Sequence, residues 1–570
     1  SSPAEVVIAV DFGTTFSGFG FTKTSLSPHE IFDNCKWPGD AWAGAAPYCK
    51  IQTSLFYVPD PAKPGHFQVK DRGWSAFTAY QSDAQDSLNI TEELADEAGY
   101  FAHKFKLHLA PNEMQMSSMV SAPGDLSPER MVVDYLRSLT NFIMNELTTA
   151  IRKDFSMRDV QWCLTVPAVW DESAKQQMKA CAEKAGMIKG VNCPRDASPS
   201  PRALHIILEP EAASVYWQLQ AQHNLKLEEG DRILIADVGG GTIDLVVHEV
   251  VELHPKGGAS KVKEVVASYG QIGGGTFVDN NFFDVVAEKI GCFWDYCRSV
   301  NPFLPTQLYS WCRRIKAEFT VSWYDEEFGL VTCGLSKAWK KYDLQPSIDP
   351  EVEKVLGLIE KQSRKVSILM VVGGFAGSPY LKKQVISKFS SEVKEIIIPT
   401  DPGRAICRPG AVELHLRKNF IKSRISKLSY GIGIRRPQED DDPLDLIVVD
   451  DDGRPKCDKA MSVFVRAGEE VELGSSIEDS YFPSLHHQES MRIPLYSSPR
   501  TYPRYTNETD TKLEGSFEID MSDEMELDKS REIRVRMEFG DALLNVSALR
   551  SNFGTDEEEH GLAVTFECTR

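Results

Sequence analysis

The stretch ILIADVGGGTIDLVVHEV, residues 233–250, decides how the fold is read. Two apolar, β-branched runs, 233–236 and 243–247, meet across a turn that holds Asp237, Gly239, Gly240, Gly241, Thr242 and Asp244. The runs are too apolar for exposed loops, and their length suits strands of a buried sheet. Three consecutive glycines let the backbone turn tightly and bring N–H groups against an anion with no Cβ in the way. Such a turn can grip phosphate oxygens. Asp237 closes the first strand and Asp244 follows the turn, so both carboxylates lie near any bound phosphate, where a cation such as Mg2+ makes them tolerable. A lone GGGT is read equally well as a plain glycine-rich β-turn.

A second stretch breaks that tie. VVIAVDFGTTFSGFGF, residues 6–21, repeats the design: an apolar strand ending in Asp11, then Gly13, Thr14 and Thr15, a small polar turn with Gly18, and a second strand. Two such hairpins could close on one nucleotide from opposite sides, each giving an aspartate to a hydrated metal and hydroxyl and amide donors to the phosphates. Neither is a Walker A loop and neither has the GxGxxG spacing of a dinucleotide fold. The arrangement resembles the actin, hexokinase and heat-shock ATPase superfamily.

Length and charge bound the rest. A chain of 570 residues is expected to form two or more domains with sizeable cores. A net charge of −20, from 83 acidic against 63 basic residues, argues against nucleic acid or an anionic membrane as the main partner. No apolar run reaches the roughly 18 residues that span a bilayer, and the start carries no signal-peptide pattern, so a cytoplasmic protein is expected. The 12 cysteines form no CxxC pair; Cys163, Cys181, Cys312 and Cys333 fall in apolar surroundings and read as buried thiols, not as disulfides or zinc ligands.

Along the chain, YFAHKFKL, 100–107, sets Lys104 and Lys106 beside Phe101 and Phe105. They fit the solvent edge of an amphipathic segment, or a position over the phosphate site where a lysine stabilises charge on a transferring phosphoryl group. Residues 127–155 read as a long helix with Pro128 near its start, and 160–167 as a strand. Residues 171–185 follow as a helix with Asp171 at its N-cap. Residues 206–208 read as a short strand, after which Glu209-Pro210-Glu211 opens another helix.

Here the resemblance narrows. LTVPAVW at 164–170, the helix ending in Ala185-Gly186, and LEPEAA at 208–213 look like the connecting segment of the seventy-kilodalton heat-shock, DnaK-like ATPases. That resemblance implies that Glu209 helps to place the attacking water and the metal shell. YGQIGGGTFV at 269–278 resembles the family's segment in which a Gly-Gly pair, here with Gly274, approaches the nucleotide. The helix 311–318 matches the adenosine-contacting helix and places Lys316, although Arg313 and Ala317 depart from the family pattern. ILMVVGGFAGSP, 368–379, runs from a strand into Gly373-Gly374, where backbone can lie flat against ribose or base. Its Phe375-Ala376-Gly377 looks like the divergent 12A/12B-type branch of the family.

Beyond about residue 420, runs at 430–434, 446–449, 461–465, 491–495, 515–519 and 533–537 suggest an antiparallel β sandwich. LSYGI at 428–432 resembles the opening of a chaperone substrate-binding β domain, with no acidic leucine-rich linker before it and no long helical lid after it. The acidic groups at 439–442 and 557–559 read as solvated loops.

The expected fold is therefore α/β: a two-lobed, actin-like ATPase domain with duplicated mixed-sheet subdomains over 1–420, lobe I about 1–227 and lobe II about 228–420. A β-rich domain resembling a lidless substrate-binding domain covers 421–570. The implied cofactors are ATP/ADP and Mg2+. Asp11, Asp237 and Asp244 would organise the metal. Gly13, Thr14, Thr15, Gly239, Gly240, Gly241, Thr242 and Gly274 would hold phosphate. Lys106, or alternatively Lys104, would stabilise the phosphoryl group, Glu209 would position water, and Gly373, Gly374 and Lys316 would border the nucleoside. The function implied is Mg-dependent ATP hydrolysis that controls lobe closure and a β domain binding a protein or peptide client. The alternative is an ATP-dependent kinase or ligase acting on a small molecule.

Overall fold

The computed structural model describes residues 3–550, apart from 27–29, 40–47, 88–98, 111–121, 196, 222–225, 255–258, most of 301–340, 405–409, 418 and 541. Two compact units are distinguished. The first is made of Ser1–Trp170, Gln177–Lys261 and Tyr269–Phe420; the second is made of Asp171–Gln176, Val262–Ser268 and Ile421–Arg570.

The first unit is built on two sheets of the same design. In one, β1 (Val6–Phe12) pairs antiparallel with β2 (Phe16–Lys23) and parallel with β8 (Val160–Val166), which pairs parallel with β9 (His205–Leu208). β3 (Phe32–Asp33) and β4 (Lys50–Gln52) lie against β2. In the other, β10 (Arg232–Val238) pairs antiparallel with β11 (Thr242–Glu252) and parallel with β15 (Ile368–Val372), followed by β16 (Glu395–Ile397). Parallel strands are covered on both faces, which is why β1, β8 and β15 are apolar runs buried at every position.

Within this frame Asp11 pairs with Gly18 and Asp237 with Asp244, at equivalent places in the two hairpins. Gly18 thus belongs to strand β2 and not to the turn in which the sequence reading placed it. The turn is shorter because β2 already starts at Phe16.

A smaller antiparallel sheet, β5 (Ser54–Pro59) flanked by β6 (Phe67–Arg72) and β7 (Tyr100–His103), delivers the two lysines. α1 (Gly73–Ser87) follows β6. Helix α2 runs Pro128–Ala150, and the Ser127 hydroxyl accepts from the Arg130 N–H at 3.1 Å at its start. It ends at Ala150 and not at the expected residue 155, and the separate turn Met157–Asp159 that follows is closed by a capping box of Ser156 and Asp159. α3 is Glu172–Lys184, with Asp171 accepting from the Ala174 N–H at 2.8 Å; α4 is Glu209–Ala221 and α5 is Gly275–Ile290. Cys163, Cys181 and Cys312 are buried as expected, while Cys333 lies outside the described residues.

In the second unit, strands Ile447–Val449, Pro455–Val465, Ser429–Pro437, Ser490–Ser498 and Lys512–Asp520 form a five-stranded sheet. Ser476–Tyr481, Ile533–Phe539 and Leu544–Arg550 form a three-stranded one. Leu495, Ile493 and Phe517 of the first pack with Val535, Met537 and Val546 of the second in one apolar core, the sandwich that the alternating runs announced. The acidic group at 439–442 is exposed at Glu439, Asp440 and Asp441, as the solvated-loop reading has it, and only Asp442 is buried. Arg436 clamps Asp442 through two hydrogen bonds of 2.8 Å, Tyr505 donates to the same carboxylate at 2.9 Å, and Arg504 joins Glu439 and Asp441. The Arg436 hydrogen bonds hold Asp442 well below the usual carboxylate range. The group at 557–559 lies outside the described residues. Among the described residues no helix is long and apolar enough to cross a membrane.

Candidate functional site

The two hairpin turns of the first unit meet. A Cβ on Gly240 would lie 2.6 Å from the Thr15 hydroxyl, and one on Gly241 would lie 2.6 Å from the Thr14 hydroxyl. Only glycine lets the second turn approach the first this closely. Behind it, the N–H groups of Gly273, Gly275 and Thr276 donate to the carbonyls of Gly241, Gly239 and Gly240 at 3.1, 3.1 and 2.8 Å, so the turn is braced from the rear.

Around this junction lies an inner pocket of about 60 Å³. Its wall includes Gly13, Thr14, Thr15, Gly239, Gly240, Gly241 and Thr242 from the turns, the carboxylates Asp11, Asp237 and Glu209, the lysines Lys50 and Lys106, and Gly373-Gly374. Thr14, Thr15, Phe16, Tyr48, Gly240 and Gly374 are shared with an outer cavity of about 360 Å³ that continues to Phe77, Phe101, Lys104, Gly275, Asp279, Lys316, Phe375 and Ser378. A polar recess opening into an aromatic chamber of that size suits a ligand with one highly charged end and one flat, apolar end.

The carboxylates carry the electrostatics. Asp237 is 3% exposed and its Oδ2 has no hydrogen-bond partner. Burial, with Glu209 and Asp244 close by, drives its pKa well above the ordinary range. Burial also pushes Glu209 up to about 7, against the pull of Lys106. Asp244 is placed by the Val169 N–H, which donates to its Oδ1 at 2.7 Å. A buried oxygen without a donor, beside carboxylates whose charge pushes Asp237 and Glu209 up, is the chemistry of a hard-cation site, and Asp11, Asp237 and Asp244 fit Mg2+.

The structure separates the two lysines that the sequence could not. The Lys106 ammonium reaches Glu209 Oε1 at 2.8 Å and stands 5.7 Å from the centre of the Phe12 ring and 5.4 Å from that of Trp170. Lys104, with a left-handed φ of 61°, turns into the outer cavity, where burial lowers its pKa to about 8. Neither sits at a solvent edge. The Lys316 Nζ bonds Asp279 at 2.5 Å and the Gly275 carbonyl at 3.0 Å, on the outer wall. The Gly274 N–H donates to Glu351 Oε2 at 2.9 Å. The glycine expected to hold phosphate thus spends that donor on the helix Lys341–Gln362, and its neighbour Gly275 reaches the cavity wall. Arg313 and Ala317 lie outside the described residues.

Gly373, expected to border the nucleoside, also stands directly against Asp237. Its φ is +91°, and a Cβ there would stand 2.4 Å from Asp237 Oδ1 and 2.5 Å from the Val238 carbonyl. Gly373→Ala is expected to cost about 2 kcal/mol or more in urea unfolding and to displace Asp237. An unchanged unfolding midpoint would refute this role.

Sequence reasoning missed Lys50, Tyr48, Asp279 and Glu351. Lys50 had only a slight signal, standing between Cys49 and Ile51 at the start of a strand. Glu351 had no signal, being one of several acids on a helix.

Duplicated sheets, each ending in an Asp–Gly–Thr turn at a shared pocket, define the actin-like class of nucleotide-binding folds. Residues 105–331 match the family described as Hsp70 protein. Heat shock 70 kDa protein 12A of Mus musculus is 26% identical over 641 residues, covering 95% of this chain and 89% of that protein. Heat shock 70 kDa protein 12B of Homo sapiens is 25% identical over 645 residues, with the same two shares. Chaperone protein DnaK of Nitrosopumilus maritimus is 27% identical over 301 residues, covering 48% of this chain and 42% of its own. The chain thus carries a region similar to the Hsp70 family over 105–331 and is similar to heat shock 70 kDa proteins 12A and 12B over 95% of its length, a likeness that supports a nucleotide-binding, heat-shock-70-like protein.

Proposed function

We propose that the chain is a Mg-dependent ATPase whose nucleotide state closes the two lobes of its first unit and sets the partner-binding state of its β domain. The observation that carries this is the meeting of the two turns, Thr14 against Gly241 and Thr15 against Gly240, beside the buried Lys106–Glu209 pair. In this reading the turn N–H groups and the threonine hydroxyls grip the phosphates, and the nucleoside extends into the aromatic outer cavity between Gly374 and Lys316. Asp11, Asp237 and Asp244 hold hydrated Mg2+, which when bound neutralises charge on the phosphate oxygens. Lys106 stabilises the phosphoryl group, and Glu209 takes the proton of the attacking water and orients it. Because each lobe supplies one turn, phosphate loss removes the ligand that both turns hold, and the lobes relax apart.

Phosphate release from ATP, measured alone, with unfolded peptide and then with a metabolite panel, tests the reading. Turnover stimulated by peptide is expected. Turnover stimulated by one compound that leaves modified would replace it with a kinase or ligase, and tight ATP binding without turnover would leave a nucleotide-dependent regulator. Small-angle scattering profiles that are identical with and without ATP would remove the closure step.

A further inference from the structure

The inner pocket carries a second buried lysine. The Lys50 Nζ lies 2.6 Å from Asp11 Oδ2, with the lysine side chain 10% and the aspartate side chain 3% exposed. The register explains how it gets there. Gly18 of β2 is paired with Asp11 of β1 on one side and with Lys50 of β4 on the other, so lysine and aspartate face each other across a residue that has no side chain. A lysine stem can cross a glycine, and any larger residue at 18 would stand between the two.

The charge balance gives this ion pair a meaning. Asp11, Glu209, Asp237 and Asp244 bring four carboxylates to the junction, and Lys106 is already engaged with Glu209. Nucleotide phosphates entering such a place need positive charge. We propose that Lys50 is a phosphate-binding cation of the nucleotide site: its ammonium passes from Asp11 to a nucleotide phosphate oxygen and supplies part of the charge that otherwise comes from the divalent metal. Nucleotide binding is therefore less dependent on Mg2+ than it would be without this residue. A compact, rotatable ammonium on a four-carbon stem can make that exchange while staying near the aspartate. The inference rests on the reading that the pocket takes nucleotide.

The test is equilibrium binding of ADP by the full chain in Mg2+ and in EDTA, for the wild type and for Lys50→Met, with the melting temperature checking that each is folded. The quantity read is the ratio of the dissociation constant in EDTA to that in Mg2+. Lys50→Met is expected to raise this ratio about tenfold or more over the wild type, the size of one lost charge-assisted contact. Lys50→Arg, which keeps a cation beside Asp11, is expected to hold the ratio near the wild-type value. If Lys50→Met does not fold, Lys50→Gln is read in the same way. A ratio that does not rise when the charge is removed overturns the proposal while leaving the nucleotide site intact, and absence of ADP binding by the wild type even in Mg2+ overturns both.

Discussion

Asp237→Asn is expected to give a protein that is more stable than the wild type without nucleotide or metal, and whose ATP turnover has fallen by about 100-fold or more. Both effects have one cause. Asp237 is buried with an oxygen that has no donor, in the field of Glu209, Asp244 and Asp11. Asparagine keeps the shape and removes the charge, so the gain is on the order of 1–3 kcal/mol in the free protein. It also removes a carboxylate from the proposed metal shell. The pH dependence has a definite sign. A carboxyl with a raised folded-state pKa binds its proton more tightly folded than unfolded, so stability falls as pH climbs from the ordinary carboxylate range of about 4 through the raised value. With Glu209 pushed to about 7 and Asp237 also raised, the metal-free wild type loses stability from pH about 4.5 to at least 7. The variant shows a shallower fall. Urea unfolding in EDTA across that range measures it, and a variant that unfolds earlier than the wild type at pH 7.5 would refute the account.

The asymmetry between the hairpins explains why Asp237 and not Asp11 is chosen. The two aspartates hold equivalent places in duplicated sheets. Asp11, however, has the Lys50 ammonium at 2.6 Å and the Thr165 hydroxyl at 3.4 Å, whereas Asp237 meets a glycine that admits no side chain. The paired sheets give the two aspartates equivalent positions, and the residues packed around each give it a different charge environment.

That same division marks what the sequence made legible. The hairpins, the strands beside them, the helix starts at Ser127, Asp171 and Glu209 and the six runs of the sandwich all carry local signals of apolar period, caps and glycines, and they lie within or next to the observed elements. Contacts that depend on register were not legible. Lys50 reaches Asp11 only because three strands line up across Gly18, and Glu351 caps the Gly274 N–H from a helix far along the chain. The lysine pair was half legible: spacing put Lys104 and Lys106 in one segment, but the left-handed φ of Lys104 sends them to different chambers. The acidic group at 439–442 was read correctly for Glu439, Asp440 and Asp441, which are exposed, but not for Asp442, whose partners Arg436 and Tyr505 lie on separate strands and turns.

The Lys106–Glu209 pair gives the other large effect, and a double-variant cycle separates its two contributions. Lys106→Met leaves a buried carboxylate without its 2.8 Å partner. Breaking a buried pair costs roughly 3–5 kcal/mol when the survivor keeps its charge. Glu209, already pushed to about 7, escapes part of that by taking a proton, so a loss of about 1–3 kcal/mol is expected at neutral pH, larger at pH 8 than at pH 6. Glu209→Gln leaves an ammonium between the Phe12 and Trp170 rings, which retain some of its stabilisation. The double variant, with neither charge, recovers most of the stability lost by Lys106→Met. Turnover behaves oppositely. Each single change lowers it by about 1,000-fold, and the double change lowers it little further, because a phosphoryl-stabilising lysine and a water-positioning carboxylate that hold each other in place act as one unit. Single-turnover hydrolysis at saturating ATP, run beside urea unfolding of the same four proteins, reads both cycles. If the double variant regains turnover with its stability, the pair is a structural ion pair only; losses that multiply in the double variant would mean that the two residues act independently.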